Sequence, residues 1–455
     1  MKKLVSLILA IMMIAAVGAA FASAPDADMS GEGGRIGEFT QPDQPTNQVN
    51  TIKIYKEITA YNPESVTVNA PTVTYNYTIG AATVASGTTV TDNASRHNQI
   101  NNTDVTATVA VKAGVGTPTI TGTGTGVLAI TPSNQLSASQ YGTSNRFALT
   151  VDFTSVDWAT AGTGAGVYRY VINETTAAAT KNAAGIAEGT TPKQLFLDVY
   201  VNGSGVIYGY VLFTTNTTID GSTSEDTAAT TAGKIEGFVD DPANTVYSST
   251  NTSTADKYYT FNLDLTKVVA NDAYASSTHH QFPFHVTLDN STVTAAVLPI
   301  MTVGTNATQT ALSAAAIGTG NSATVWTPSI ADGATINYVG IPCGTTITVY
   351  ETNDVTGVSY NSVSTNADTN ADAKAINTNE NSNTATINCN ATALTVATEN
   401  YTAAASKVVT FTNTLLQISP TGYVSRFAPY ALILVAGIAL LIVAKKRKPA
   451  KDDEE

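Results

Sequence analysis

Hydrophobic and polar residues alternate in short segments from Thr51 onward. The clearest segments are TIKIYKEI, LFLDVYV, IYGYVLF, FPFHVTL, TITVYE and KVVTFTN. A period of two predicts strands, and the abundant Thr, Val and Tyr favour strands while Asn and Gly supply turns. No segment between the two ends of the chain has a convincing helical period. The pattern therefore predicts an all-β protein.

The N-terminus departs from this pattern. Two lysines precede an apolar run over residues 4–21, and small residues stand at Ala22 and Ala24. This arrangement is typical of a secretory signal peptide, and cleavage after Ala22 is favoured because Pro25 would directly follow a cut after Ala24. A permanent N-terminal anchor is the alternative, although an anchor has no need of the small residues. We expect a signal peptide over residues 1–22 and a mature protein outside the cytoplasm.

The C-terminus also departs from the alternation. Residues 427–444 carry no charge, and the basic run KKRK follows at once. This length is near the lower limit for a helix that crosses a bilayer, and the basic cluster is typical of the cytoplasmic side. The sequence predicts a transmembrane helix over 427–444, which tethers the exported chain to the membrane.

Composition limits the possible partners. The chain has 455 residues and a formal net charge of -13, which argues against a nucleic-acid partner because neutralising phosphates requires an excess of Lys and Arg. Two cysteines, Cys343 and Cys389, are too few for a disulfide framework. They form either one bridge or two unpaired buried thiols, and both interpretations are open.

A pattern repeats along the chain. A strand bearing a lysine opens one block at Lys56 and another at Lys267, and a strand that ends in glutamate follows in each, at Glu174 and Glu351. The repeat predicts two tandem β-sandwich domains of the immunoglobulin-like type. The predicted organisation is a signal peptide (1–22), a flexible leader (23–49), two sandwiches (50–262 and 263–416) and a C-terminal segment (417–455).

The polar residues of this repeat point toward the core. Because residues i and i+2 of a strand share a face, Lys56 and Lys267 lie among the inward apolar residues of their strands. Glu174 and Glu351 end the apolar faces of later strands, and Asn413 follows Val and Phe on the inward face of KVVTFTN. Each block thus aims a lysine and a carboxylate at its core.

Two interpretations of these inward charges are open. They form buried ion pairs or reach water at strand ends, as most such groups do. Alternatively, burial lowers the pKa of the lysine and makes its amine a nucleophile, while a buried glutamate passes protons. A neutral amine beside an asparagine can attack the carboxamide, release ammonia and leave an amide cross-link.

Four segments resemble the pilin isopeptide-linkage domains of Gram-positive backbone pilins, and the resemblance implies pilin-type β-sandwiches. The segments are GVYRYVINE (166–174), LFLDVYVNGSGVIYGYVLF (195–213), IPCGTTITVYET (341–352) and KVVTFTNT (407–414). The resemblance implies that a first-strand lysine is joined to a last-strand asparagine with help from an acidic residue. It implies two sets of residues: Lys56, Asn262 and Glu174 in the first domain, and Lys267, Asn413 and Glu351 in the second. Asn262 fits if its strand crosses from one domain to the next.

The tail resembles a sorting signal. Ser419, Pro420, Thr421 and Gly422 precede the apolar segment and resemble the LPxTG sortase motif in a variant form. The resemblance implies that a sortase cuts after Thr421 and transfers its carbonyl to an amine of peptidoglycan or of a neighbouring subunit. An ordinary stop-transfer anchor is the alternative. Lys257 and Lys234 are candidate acceptor lysines.

Three function classes are compatible with these features. The first is a structural pilin subunit, polymerised by sortase and anchored in the cell wall. The second is a monomeric wall-anchored adhesin that binds host glycans or matrix. The third is a secreted enzyme, for which no catalytic motif stands out. His279, His280 and His285 lack an accompanying cysteine or acidic cluster, so the sequence predicts neither a metal nor a cofactor.

Overall fold

The computed structural model describes sixteen stretches of the chain. They are residues 27–30, 35–36, 48–98, 103–158, 164–216, 219–220, 233–240, 247–248, 251–270, 280–318, 324–351, 362–367, 374–375, 384–388, 406–414 and 420–446. Both signal-peptide cleavage positions, Ala22 and Ala24, lie outside these residues.

The described residues form 31 strands and two helices. The strands of the first half are β1 (Ala27–Asp28), β2 (Arg35–Ile36), β3 (Thr51–Tyr61), β4 (Val66–Asn69), β5 (Val73–Ala81), β6 (Thr89–Asn98), β7 (Thr103–Ala113), β8 (Thr119–Thr121), β9 (Val127–Ile130), β10 (Gln135–Ala138), β11 (Thr143–Asp152), β12 (Gly166–Glu174), β13 (Ile186–Ala187), β14 (Gln194–Val201), β15 (Ile207–Phe213), β16 (Ile219–Asp220) and β17 (Gly237–Phe238).

The remaining strands are β18 (Asp256–Ala270), β19 (Phe282–Asp289), β20 (Ala296–Val297), β21 (Ile300–Val303), β22 (Ala307–Thr308), β23 (Ala315–Ala316), β24 (Thr324–Trp326), β25 (Ser329–Ile330), β26 (Thr335–Pro342), β27 (Thr346–Glu351), β28 (Ser362–Ala367), β29 (Lys374–Ala375), β30 (Thr384–Asn388) and β31 (Lys407–Thr414). The helices are α1 (Ala178–Ala183) and α2 (Pro420–Lys446). All six segments with clear alternation are strands, and the predicted all-β class is confirmed.

Two layered cores hold these strands. In the first sandwich, β3, β8, β11 and the start of β18 pack against β5, β12, β14 and β15, with Ile54, Leu149, Tyr170 and Leu197 fully buried between the layers. In the second sandwich, the rest of β18 joins β26 and β31 and packs against β19 and β27. The layers bury apolar faces that single sheets would leave in water.

Strand β18 belongs to both sandwiches. Its first residues run parallel to β3, and residues 263–270 run parallel to β31. Residues 260–266 of β18 also pair antiparallel with β26, with a register shift between Phe261 and Asn262. The predicted boundary between residues 262 and 263 therefore falls within a continuous strand.

Helix α1 has no counterpart in the predicted pattern. Its six residues are too few to show a helical period. The Ala-rich segment TTAAATKNAAG nevertheless contains strong helix formers, and Gly185 follows the helix with a positive φ of 74°. These two features are the signals that would have indicated the helix.

Helix α2 covers the predicted transmembrane segment. Its side chains are described only for residues 430–443, all of them exposed. Within the part of the chain that the structure describes, no helix meets both the length and the hydropathy required of a membrane span.

Candidate functional site

In the second sandwich, Lys267 and Glu351 face each other across the core. Lys267, on β18, is fully buried, and its Nζ lies 3.1 Å from Oε2 of Glu351, the last residue of β27. The same Nζ donates to the carbonyl oxygen of Phe411 at 3.3 Å and stands 4.5 Å from the ring centre of Phe282. The lysine is thus enclosed by one carboxylate, a carbonyl and an aromatic ring.

Burial alters the protonation of Lys267. Loss of hydration lowers its pKa to about 8, and the attraction of Glu351, with a smaller one from Asp332, only partly opposes this effect. A lysine with this pKa is neutral in roughly a tenth of molecules at pH 7. The neutral amine is the form that attacks a carbonyl carbon.

Asn413 completes this site through Glu351. Its Nδ2 donates a 2.6 Å hydrogen bond to Glu351 Oε1, so the two carboxylate oxygens contact the amide and the amine. Asn413 stands opposite Val269, two residues beyond Lys267 on the neighbouring parallel strand. The structure therefore brings together the three residues that the sequence assigned to the second domain.

In the first sandwich, Lys56 meets two carboxylates. Its Nζ lies 2.9 Å from Glu174 Oε2 and 2.8 Å from Asp256 Oδ2, and all three side chains are buried. Lys181, from α1, adds a second amine at 2.5 Å from Glu174 Oε1 and 3.1 Å from Asp256 Oδ2. Both lysine Nζ atoms lie over the ring of Tyr75, at 4.7 and 5.5 Å.

The charges of this cluster balance, with Lys56 and Lys181 opposite Glu174 and Asp256. Lys181 also lies 3.2 Å from Glu188, whose carboxylate is paired with the half-exposed Lys193 at 2.5 Å. Burial lowers the pKa of Lys181, but its attraction to Glu174 and Asp256 outweighs burial and raises it. Burial alone would raise the pKa of Asp256. The pKa is lowered instead, because the attraction of Lys56 and Lys181 and the hydrogen bond from the Gly189 N–H outweigh burial. The Gly189 N–H donates to Asp256 Oδ1 at 2.8 Å.

Both sites are built on the same frame. Asp256 pairs with Ile58, which lies two residues after Lys56 on β3. In the same way, Asn413 pairs with Val269, which lies two residues after Lys267 on β18. Glu174 ends β12, and Glu351 ends β27.

The aromatic residues of the two sites also correspond. On β5, Tyr77 pairs with Glu174, and Tyr75 lies two residues before Tyr77. On β19, Phe284 pairs with Glu351, and Phe282 lies two residues before Phe284. The repeat seen in the sequence is therefore a repeat of side-chain positions.

Asn262 lies elsewhere. It is six residues beyond Asp256 on β18, or about 20 Å at the rise of a strand. Its amide is buried and exchanges hydrogen bonds of 2.8 and 3.0 Å with the amide of Asn62. The structure does not bring Asn262 to Lys56, because the parallel register places Asp256 there instead.

The sequence pattern did not identify Asp256 and Lys181 as residues of the first site. Asp256 shares its strand face with Tyr258 and Thr260, the same face that was assigned to Asn262. A buried aspartate in this alternation was the available signal. Lys181 lies in α1, which the pattern did not reveal.

The remaining predicted residues have varied surroundings. Lys257 is half-buried in β18, and burial lowers its pKa, although Asp240 opposes this effect. Lys234 is buried. Cys343 is buried. Cys389 and Ser419 lie outside the described residues, and Pro420, Thr421 and Gly422 form the first turn of α2.

No protein-family model matches the chain, and no curated protein sequence matches it. Among solved structures, the major pilin protein T-13 from Streptococcus pyogenes is 14% identical, with a TM-score of 0.32 over 81% of this chain and 100% of that one. A second major pilin structure from Streptococcus pyogenes is also 14% identical, with a TM-score of 0.33 over 81% and 100% of the two chains.

A bacterial adhesin from Mobiluncus mulieris, which contains intramolecular disulfide, isopeptide and ester bond cross-links, is 14% identical. Its TM-score is 0.22 over 81% of this chain and 100% of the adhesin. Similarity at this level assigns no function, so the proposal below depends on the buried sites and the sequence.

Proposed function

We propose that this protein is a structural subunit of a Gram-positive cell-surface pilus, strengthened by an internal amide bond and joined to its neighbours by a sortase. The observation that supports it best is the buried arrangement of Lys267, Glu351 and Asn413. A carboxylate that contacts both an amine and a carboxamide can move protons between them.

The proposed bond forms between Lys267 Nζ and Cγ of Asn413. Glu351 takes a proton from the lysine, and the neutral amine attacks the carboxamide carbon. The bond from Cγ to Nδ2 breaks, and the nitrogen leaves as ammonia with a proton delivered by Glu351. Two lysine protons leave in all: one departs with ammonia and the other stays on Glu351, so the buried site ends without charge.

Such a bond suits a protein that carries tension. It joins β18, the first strand of the second sandwich, to β31, the last described strand before α2. Force applied along the chain then passes through a covalent link rather than through the hydrogen bonds of the sheet.

Peptide mapping by mass spectrometry tests the bond. We expect the peptide with Lys267 to be joined to the peptide with Asn413, and the pair to be lighter by one ammonia. Asn413→Ala removes the link, whereas Asn337→Ala, at a hydrogen-bonded asparagine of the same sandwich, keeps it. Separate peptides in the unaltered protein would contradict the proposal.

Polymerisation is tested on wall extracts. We propose that sortase joins the Thr421 carbonyl to a lysine of the next subunit, and the last subunit to peptidoglycan. Boiled extracts should then show a ladder of high-molecular-weight bands. Thr421→Ala should abolish the ladder and the control Ser425→Ala should not. A single band from the unaltered protein would favour the monomeric adhesin.

A further inference from the structure

We propose that the first sandwich is closed by an amide bond between Lys56 Nζ and Cγ of Asp256, with water as the leaving group. Lys181 serves as the counter-ion that allows an aspartate to stand where the second sandwich has an asparagine. This proposal rests on the amide chemistry proposed for Lys267 and Asn413, and it replaces Asn262 as the partner of Lys56.

Position identifies Asp256 as the partner. Lys56 and Asp256 occupy the places that Lys267 and Asn413 occupy in the second sandwich, with the same offset between parallel strands. Asp256 Oδ2 lies 2.8 Å from Lys56 Nζ, so the amine and the carboxylate are already in contact. The side-chain amide of Asn262 is instead held by two hydrogen bonds to the side-chain amide of Asn62.

Charge explains the additional lysine. Lys267, Glu351 and the neutral Asn413 have no net charge, whereas an aspartate in place of the asparagine adds one buried negative charge. Burying an unpaired charge is costly, and Lys181 supplies the compensating positive charge at 3.1 Å from Asp256. Among the side chains that the structure describes, no second lysine contacts Glu351.

The atoms and charges of the step balance. The Lys56 ammonium gives up two protons, which pass through Glu174, and its nitrogen bonds to Cγ of Asp256. The Gly189 N–H, 2.8 Å from Asp256 Oδ1, faces the oxygen that gains charge as the carbon becomes tetrahedral. Oδ2 receives both protons and leaves as water. Glu174 and Lys181 remain as a balanced pair 2.5 Å apart.

The leaving group makes the experiment specific. Peptide mapping of the full-length protein extracted from cells should find the Lys56 peptide joined to the Asp256 peptide, lighter by one water. Lys56 and Asp256 recovered in separate peptides would overturn the proposal, as would a link from Lys56 to Asn262 with loss of ammonia. If the Lys56 and Asp256 peptides are separate while Lys267 and Asn413 are joined in the same digest, only the proposal for the first sandwich fails. If neither pair is joined, the proposed function fails as well.

Variants separate the roles of the residues. Asp256→Ala should abolish the first link, and Asn262→Ala should keep it. The Lys267–Asn413 link, measured in the same digest, shows whether each variant still folds in its second half.

Lys181 is tested by rescue. Lys181→Met alone should reduce the first link at least tenfold, because it leaves a buried carboxylate without its counter-ion. Combined with Asp256→Asn, the same change recreates the charge balance of the second sandwich, and the link should return with loss of ammonia instead of water. A fully linked Lys181→Met variant, or an unlinked double variant that retains the second link, would overturn the role of Lys181.

Discussion

Lys267 faces a single carboxylate, that of Glu351, at 3.1 Å in a core from which water is excluded. The attraction of Glu351 and the smaller one of Asp332 do not offset the loss of hydration, so the pKa of the lysine falls to about 8. Lys56 instead has two carboxylates within 2.9 Å. The same frame therefore gives its two lysines different electrostatic surroundings.

Loss of the link in the second sandwich should lower stability. A bond between residues 267 and 413 closes a long loop, which removes about 5 kcal/mol of chain entropy from the unfolded state. Asn413→Ala should lower the free energy of unfolding in guanidinium by about this amount. Asn337→Ala loses only a hydrogen bond and should cost about 1 kcal/mol. Equal losses in the two variants would contradict a cross-link at Asn413.

The unlinked Lys267 should make stability depend on pH. With Asn413 in place, its folded pKa of about 8 lies below the unfolded value of about 10.4, and we expect the same order in Asn413→Ala because Lys267 stays buried. Between these pH values the unfolded chain binds more protons, so the free energy of unfolding should rise with pH by roughly 3 kcal/mol. Below pH 8 this lysine contributes no slope. The double variant Lys267→Met with Asn413→Ala should lack the rise when measured by the same titration.

A buried ion pair outside both sites should be sensitive to removal of one partner. Arg169 and Asp198 are fully buried and joined by hydrogen bonds of 2.8 and 2.9 Å, and the guanidinium lies 4.5 Å from the ring centre of Phe213. Arg169→Met leaves Asp198 uncompensated and should cost about 3–5 kcal/mol in urea unfolding.

The matching double variant tests the cause of that loss. Arg169→Met with Asp198→Leu removes both charges, and it should recover most of the lost stability. If the double variant is as unstable as Arg169→Met alone, packing on Phe213 rather than the unpaired charge explains the cost.

The amide pair between Asn62 and Asn262 should contribute to stability without affecting either cross-link. Asn262→Ala removes both hydrogen bonds to the Asn62 amide, which keeps its bonds with Thr260 Oγ1 and the Glu64 N–H, and it should cost about 1–3 kcal/mol in urea unfolding. Peptide mapping of the same variant should show both links intact. Asn62→Ala is the matched control, because it breaks the same pair from the other side and should cost a similar amount.

Much of the fold was available from local patterns. Alternation predicted strands at β3, β14, β15, β19, β27 and β31, and it oriented Lys56 and Lys267 toward the core. The predicted set of Lys267, Glu351 and Asn413 does lie together. The short helix α1 was not predicted, because six residues cannot show a period.

The sequence by itself determined which side chains point inward, because the two faces of a strand alternate along the chain and an apolar face must be buried. Only the tertiary structure decided which inward residues meet. Asp256 rather than Asn262 reaches Lys56 because of the register between β3 and β18, strands that are some 200 positions apart in sequence. Lys181 reaches both carboxylates only because α1 folds over them. The alternation along a strand determines which face of the sheet a side chain lies on, whereas the pairing of distant strands determines which side chains it contacts.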